Sequence, residues 1–562
     1  MCLRRSVVTT AADSDQPIYG NELIGTTYAT IQARRTALGS ALLALERGGR
    51  LRSATALTSG PSPPELTFPG IPHYGDHNRV KNGARRGWAV GMWTKNRVEW
   101  QIIDLACQAY GLVTASLYET LGPDVAQYIL GIELLDMLEL EIWGAEEGVR
   151  CDPGPVKGVA GENELDKHRI ATISYTSGTT GDPKGVVLTN YNLTTAVISN
   201  THGISTDHNE KIGGWRFLAY LPLSHIYERF LELLVMHGDG VIAYTTGDPT
   251  KLLEDAQLIK PHFMAGVPRV YNRIHAAVQT QMNSPGLKGA LLRRAVATKL
   301  ANWRNDGEVK HTLYDALVFR KIRNLLGGNL MTITSGAAPL SADVYEMLKV
   351  CFSCHVVQGY GLTETVGTCS KGHPVDIGAT GNVGAIQPCN EIKLMDVTEM
   401  GYTSKDMPCP RGEICLRGSN ITKGYLHDLV STAKLLDANG WMHTGDIGEV
   451  DPQGHLKIID RIKNVIKLSQ GEYVALEKLE GTYTLDPLFA SLLLHGDSSQ
   501  SYLVALAVLD PEKAASLVTA VLGQTLAPSD VLRLNEAVQD KRIRQSVVQL
   551  LAKTARDKKM NG

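Results

Sequence analysis

The chain lacks a charge excess, a long apolar run and any regular spacing of cysteines. Its 56 basic and 58 acidic residues leave a net charge of −2 over 562 positions. A nucleic-acid-binding protein would show a basic excess or stripe, so no nucleic-acid partner is expected. No apolar run approaches the roughly 18 residues of a membrane-spanning helix. Met1-Cys2-Leu3-Arg4-Arg5-Ser6-Val7-Val8 is too short for a signal-peptide core. The nine cysteines are odd in number and scattered. Cys351 and Cys354 make the one close pair, with no second pair at zinc spacing, and they read as buried thiols of a reducing compartment. The last residues, Lys559-Met560-Asn561-Gly562, are not a Ser-Lys-Leu peroxisomal address. An intracellular protein, soluble or peripherally bound to a membrane, is the expectation, and its length suits roughly two to four domains.

What is present is concentrated in Tyr175-Thr176-Ser177-Gly178-Thr179-Thr180-Gly181-Asp182-Pro183-Lys184-Gly185. The alternating Ile170–Ser174 precedes it and Val186-Val187-Leu188 follows, so it is a loop between two strands. Its glycines let the backbone approach a ligand, and successive N–H groups can form an anion-binding concavity. The hydroxyls add donors, and Lys184 adds a compact positive charge for a phosphate. The mononucleotide P-loop pattern fails, because Pro183 precedes Lys184 and a β run follows Gly185. A Gly/Thr-rich surface turn is the bland alternative.

Further motifs follow in order. Tyr28 to Leu45 carries a helical period through Ile31, Leu38, Leu42 and Leu43, while the first twenty or so residues read as polar and poorly ordered. Gly87–Trp93, an apolar helix and Gly111–Tyr118 form the strand, helix and strand of a doubly wound sheet. His225 stands within Leu221-Pro222-Leu223-Ser224-His225-Ile226-Tyr227-Glu228-Arg229, and a lone histidine is commonly structural. Residues 285 to 325 are helical and basic, with Arg293, Arg294, Lys299, Arg320, Lys321 and Arg323 reading first as a solvated face and second as a contact for anionic headgroups or CoA phosphates. Ser335-Gly336-Ala337 ends a strand in small residues that would let a flat base lie on the backbone. In Gln358-Gly359-Tyr360-Gly361-Leu362-Thr363-Glu364, Tyr360 offers a stacking face, Thr363 a hydroxyl, and Glu364 a hard oxygen for Mg²⁺. Asp446, on a loop after Trp441, could accept from both hydroxyls of a ribose.

Together these motifs resemble the adenylate-forming superfamily, over roughly residues 25 to 562. Asn96-Arg97-Val98-Glu99-Trp100, Leu121–Asp124, the His225 segment and Gly471-Glu472-Tyr473 resemble its long-chain fatty acid–CoA ligase branch. The resemblance implies an α/β fold: a large N-terminal domain, 1–460, of stacked α/β sheets plus a β-barrel-like part, and a small α+β lid, 461–562. It implies activation of a fatty acid by ATP as an acyl-adenylate, with transfer to CoA and release of AMP and pyrophosphate. It assigns the phosphates to Thr176, Ser177, Gly178, Thr179, Thr180, Gly181 and Lys184, and Mg²⁺ to Thr180 and Glu364. The adenine goes to Ser335, Gly336, Ala337 and the Gln358–Gly361 stretch, the α-phosphate to Thr363, and the ribose to Asp446 and Arg461. Lys184, Thr363 and Glu364 are the implied catalytic residues. His225 would line the acyl tunnel, Lys463 would be the hinge, and Gly471 would serve thioester formation.

Two departures from the family carry expectations. A strand and helix of the sheet look absent between Asp124 and Tyr175, which would leave a sheet edge or an apolar face uncovered. The final loop whose lysine steadies the carboxylate has no counterpart here, so slow adenylation is expected, and a catalytically impaired nucleotide- or acyl-binding protein is the alternative. Endoplasmic reticulum, peroxisome and lipid droplet surfaces are all compatible locations. Acyl chain length and oligomeric state are not legible.

Overall fold

The computed structural model describes residues 2–10, 17–47, 89–118, 169–176, 183–201, 214–470, 473–497 and 499–557. Two sheets dominate. The smaller has the order β3-β4-β5-β6, from Ala89–Met92, Val113–Ser116, Ile170–Thr176 and Lys184–Thr189. Helix α2 (Val98–Tyr110) connects β3 to the parallel β4, as the alternating apolar pattern predicts. Gly111 ends α2 with φ +76°, where a side chain would be strained. β5 and β6 then form an antiparallel hairpin whose connection is the phosphate-loop motif.

The larger sheet has nine strands. Its centre runs β11-β10-β9-β7-β8: His355–Tyr360, Thr332–Ser335, Phe263–Gly266, Arg216–Ala219 and Val241–Tyr244. These five are parallel, and their burial on both faces explains their continuous apolar character. Short β12 (Ser370–Lys371) and β13 (Ala385–Ile386) extend one edge.

The other edge corrects an expectation. The first residues form β1 (Cys2–Thr10) and β2 (Pro17–Thr26), an antiparallel pair whose β1 lies parallel to β8 through Cys2↔Ile242 and Leu3↔Ala243. The edge of β8 offers this segment main-chain partners that lie more than 200 residues away and are invisible to local pattern.

One core cluster joins the sheets. It packs Trp100, Ile102 and Tyr110 of α2 with Leu188 of β6, Phe217 of β7, and Phe230, Leu231 and Leu234 of α4 (Ile226–His237), the helix following α1 (Tyr28–Arg47), α2 and α3 (Asn190–Thr201). Within this apolar layer Arg229 and Asp104 form a buried ion pair, and Arg229 also donates to Thr172 Oγ1 at 2.6 Å. The pair therefore ties α4 to α2 and to the smaller sheet.

The part expected to be barrel-like is an open antiparallel sheet, β14-β15-β16-β17, from Asn390–Met395, Arg411–Gly418, Met442–Val450 and Leu456–Arg461. Beyond it, β18 (Val465–Lys467) pairs with β19 (Tyr473–Ala475), and β20 (Phe489–Gly496) with β21 (Leu503–Leu509). Two hydrophobic clusters draw only on residues between 476 and 551, so this segment holds cores of its own. The basic stretch is not uniformly solvated: Arg293, Arg294, Arg320 and Lys321 are exposed. Lys299, in contrast, is fully buried, donating to Asp315 Oδ1 at 2.6 Å and Ser353 Oγ at 2.7 Å. Cys351 and Cys354 are buried thiols, both pushed up to about 12 by burial.

Candidate active site

The ends of the phosphate loop are held where Thr176 of β5 pairs with Lys184 of β6. Ser177, Gly178, Thr179, Thr180 and Gly181 lie outside the described residues. Thr176 and Lys184 both line a cavity of about 720 Å³. Lys184 Nζ donates to Ser431 Oγ at 2.8 Å and stands 5.2 Å from the centre of the Tyr425 ring. Tyr425 in turn donates its hydroxyl to Glu364 Oε1 at 2.6 Å. One aromatic ring thus separates the site's cation from its carboxylate, and holds both facing the same space. Burial and the Glu364 carboxylate push the Tyr425 phenol well above its ordinary range, keeping it a hydrogen-bond donor. The second oxygen of Glu364 has no partner among the described residues, which leaves a hard donor of the kind Mg²⁺ takes. Sequence reasoning missed Tyr425 and Ser431; the Lys184–Ser431 bond spans 247 positions.

The second motif crosses beneath. A Cβ on Gly361 would come within 2.3 Å of the Gly367–Thr368 backbone, so only glycine lets the chain fold back there. Gly359, Gly361 and Thr363 line the first cavity. Gln358 and Tyr360 face a second space of about 1390 Å³, between this part of the chain and the 480–513 region. The two spaces meet at Ala337, Gly359, Gly361, Leu362, Asp446 and Arg461. Gly336 lines the first and Ala337 both, the latter held at φ +68° in a turn that strains any side chain. Ser335 lines neither, and its buried Oγ has no partner among the described residues.

Asp446 reaches this junction because β16 bulges. Three of its residues, Thr444 to Asp446, lie opposite the single residue Ile414 of β15, and such a bulge re-aims a side chain. The Asp446 carboxylate, 3 % exposed, accepts from Tyr360 at 2.5 Å and faces Arg461 Nε at 3.4 Å across the β16–β17 pair. Burial, reinforced by Asp446, pushes the Tyr360 phenol far above its usual range.

The first cavity also has an apolar lining. Ile226, Phe230, Leu231, Leu234 and Val235 present one face of α4 to it, and Trp215, Phe263 and Val357 also line it. His225 lines this space and also caps α4, its Nδ1 accepting from Tyr227 N at 3.1 Å. Burial lowers its pKa, so its neutral form is favoured. His225 is thus both a helix cap and a cavity-lining residue. Lys371, missed from sequence, also borders the cavity and donates to the Asn200 carbonyl at 2.8 Å; burial brings it down to about 8. Lys463, in the turn Ile462–Asn464 after β17, stands at the cavity edge. Gly471 lies outside the described residues.

The chain is similar to known proteins over most of its length. The family model described as AMP-binding enzyme matches residues 134–426. Long chain acyl-CoA synthetase 7, peroxisomal, of Arabidopsis thaliana is 38% identical over 522 residues, 86% of this chain and 72% of that protein. Acyl-CoA ligase 891, peroxisomal, of Penicillium brevicompactum is 35% identical, over 95% of this chain and 78% of its own. Long-chain-fatty-acid–CoA ligase 1 of Cavia porcellus is 36% identical, over 76% of this chain and 66% of its own. Among solved structures, the adenylation domain of a carboxylate reductase from Mycobacterium chelonae superposes with a TM-score of 0.71 at 21% identity, covering all of this chain and 81% of that one, which shows a shared fold. Matches of this extent make the chain a member of the adenylate-forming, AMP-binding enzymes, in their long-chain acyl-CoA synthetase branch.

Proposed function

We propose that this fatty acid–CoA ligase brings its two substrates together where the two cavities join. The observation that carries this reading is one space lined both by the apolar face of α4 and by Lys184 and Glu364. An acyl chain buried against that face gains about 0.8 kcal/mol per CH₂. Its carboxylate is then delivered toward the α-phosphate of an ATP whose ribose is held by Asp446 and Arg461 and whose base lies between Ala337 and Tyr360.

In the first step a carboxylate oxygen attacks the α-phosphorus, that P–O bond forms, the bond to the β-phosphate breaks, and pyrophosphate leaves. Lys184 offsets the charge gathering on the phosphates, and Thr363 donates to the α-phosphate. Glu364, with Thr180, would hold Mg²⁺, which when bound neutralises phosphate charge. In the second step the sulfur of CoA attacks the acyl carbon, the thiol proton is lost, the C–S bond forms, and AMP leaves with the oxygen it gained.

The chain divides at 460/461 in this reading. Lys463 is the hinge about which the lid turns, and the loop at Gly471 serves the thioester step. Peroxisomal relatives favour a peroxisomal site of action, and peripheral membrane contact fits the absence of any helix, among the described residues, long and apolar enough to cross a membrane. The direct test is fatty-acid-dependent exchange of pyrophosphate into ATP. Palmitate should support it and acetate should not; equal exchange with both would discard the long-chain assignment.

A further inference from the structure

Glu413 and Cys415 of β15 and His443 of β16 bring three metal-ligating atoms within 4.8 Å of one another. Cys415 and His443 are direct cross-strand partners, and Glu413, two residues before Cys415, projects from the same face. His443 Nδ1 is 3.1 Å from Glu413 Oε2 and 3.6 Å from Cys415 Sγ. A tetrahedral zinc ion, with bonds of about 2.0–2.1 Å to nitrogen and about 2.3 Å to sulfur, holds its ligand atoms roughly 3.3–3.6 Å apart. The two His443 separations match this spacing to within a few tenths of an ångström, and the Glu413–Cys415 pair, within 4.8 Å, closes by at most about 1.2 Å on binding.

Three surroundings point the same way. His443 has its other nitrogen, Nε2, 3.9 Å from Asp437 Oδ2, so a small movement would let this carboxylate accept from a ligating imidazole, the outer contact such ligands commonly have. Glu413 and His443 border the 720 Å³ cavity, which supplies an entry path and room for a water as fourth ligand. Glu413 divides its oxygens: Oε1 accepts from the Gly445 amide at 3.1 Å, while Oε2 faces His443. A metal on Oε2 leaves the Gly445 bond in place.

We propose that Glu413, Cys415 and His443 form a zinc-binding site on the β15–β16 pair. The Glu413–Gly445 bond links the ion to the bulge carrying Asp446, so zinc stiffens the ribose end of the nucleotide site. Cysteine spacing did not reveal it, because the ligands come from separate strands rather than from two close pairs. The set combines a soft sulfur with imidazole and carboxylate, which suits zinc over Mg²⁺.

The full-length chain, stripped with a chelator, is titrated with ZnCl₂ against a chromophoric chelator. The expected result is a tight equivalent of zinc that His443→Gln weakens at least about tenfold, the loss of one of three protein ligands. Cys415 is buried and its variant could misfold, so the half-buried His443 carries the decision, with Glu413→Gln as a second variant. With Co²⁺ in place of zinc, a thiolate-to-metal charge-transfer band is expected in the wild type and should need at least about tenfold more Co²⁺ to develop in His443→Gln. Zinc uptake identical in wild type, His443→Gln and Glu413→Gln would overturn the site and assign any uptake to other cysteines.

Discussion

Replacing Asp446 by alanine separates nucleotide recognition from everything else the cavity does. The carboxylate is buried at the junction of the two spaces, with Tyr360 at 2.5 Å on one oxygen and Arg461 at 3.4 Å from the other. A hydrogen bond to a charged acceptor contributes about 1.5–3 kcal/mol. Ribose hydroxyls arriving here exchange for contacts that Asp446 already makes, so the net loss should fall near the lower end, about 1–2 kcal/mol. That weakens AMP about five- to thirtyfold. Calorimetric titration of AMP into wild type, Asp446→Ala and Asp446→Asn measures it, with circular dichroism to establish folding. Asparagine keeps an acceptor without the charge and should lie between the other two. A folded Asp446→Ala protein that binds AMP as tightly as wild type would refute the ribose assignment.

Two predictions concern the layer behind the cavity. Asp104→Ala strands the buried Arg229 without its counter-ion and should destabilise the large domain by about 3–5 kcal/mol, whereas Asp104→Leu with Arg229→Met should recover most of it; urea unfolding that moves by less than about 1 kcal/mol in the single variant would refute the pairing's weight. Glu228 and Glu232 stand one helical turn apart on α4, fully buried, and burial raises both, Glu232 to about 8. Glu232 therefore keeps its proton in the folded chain up to about pH 8 and ionises near 4.5 in the unfolded one, and the upward shift of Glu228 acts in the same direction, so the folded state binds more protons between about pH 4.5 and 8 and stability should fall as pH rises through that window. Glu232→Gln should flatten that decline; urea midpoints from pH 5 to 8 that fall equally in both proteins would show Glu232 is not its source.

That the phosphate-loop motif joins two strands, and that Lys184, Thr363, Glu364 and Asp446 share one cavity, was legible because each belongs to a short run of distinctive residue types. The α/β alternation from Ala89 to Ser116 was legible because its periodicity is local. The β1–β2 pair was not: its strand character depends on the edge of β8. Tyr425 and Ser431 escaped for a similar reason, since their use emerges only when the 425–431 segment lies along the edge of β6. Lys299 looked like a surface charge because composition cannot reveal that Asp315 and Ser353 fold over it. The open form of the β14–β17 sheet likewise depends on which strands close on one another, and no residue pattern in those strands encodes that.

The central claim is that Lys184, Glu364 and the apolar face of α4 serve one reaction in one space. Pyrophosphate exchange into ATP tests it most directly, measured with palmitate, with acetate and without acid, in wild type and Glu364→Gln. The account predicts exchange that requires palmitate and drops about 10²–10³-fold in Glu364→Gln, the usual cost of removing one pre-organised electrostatic group. Palmitate-dependent exchange that is undiminished in Glu364→Gln, or exchange indifferent to the acid supplied, would contradict it.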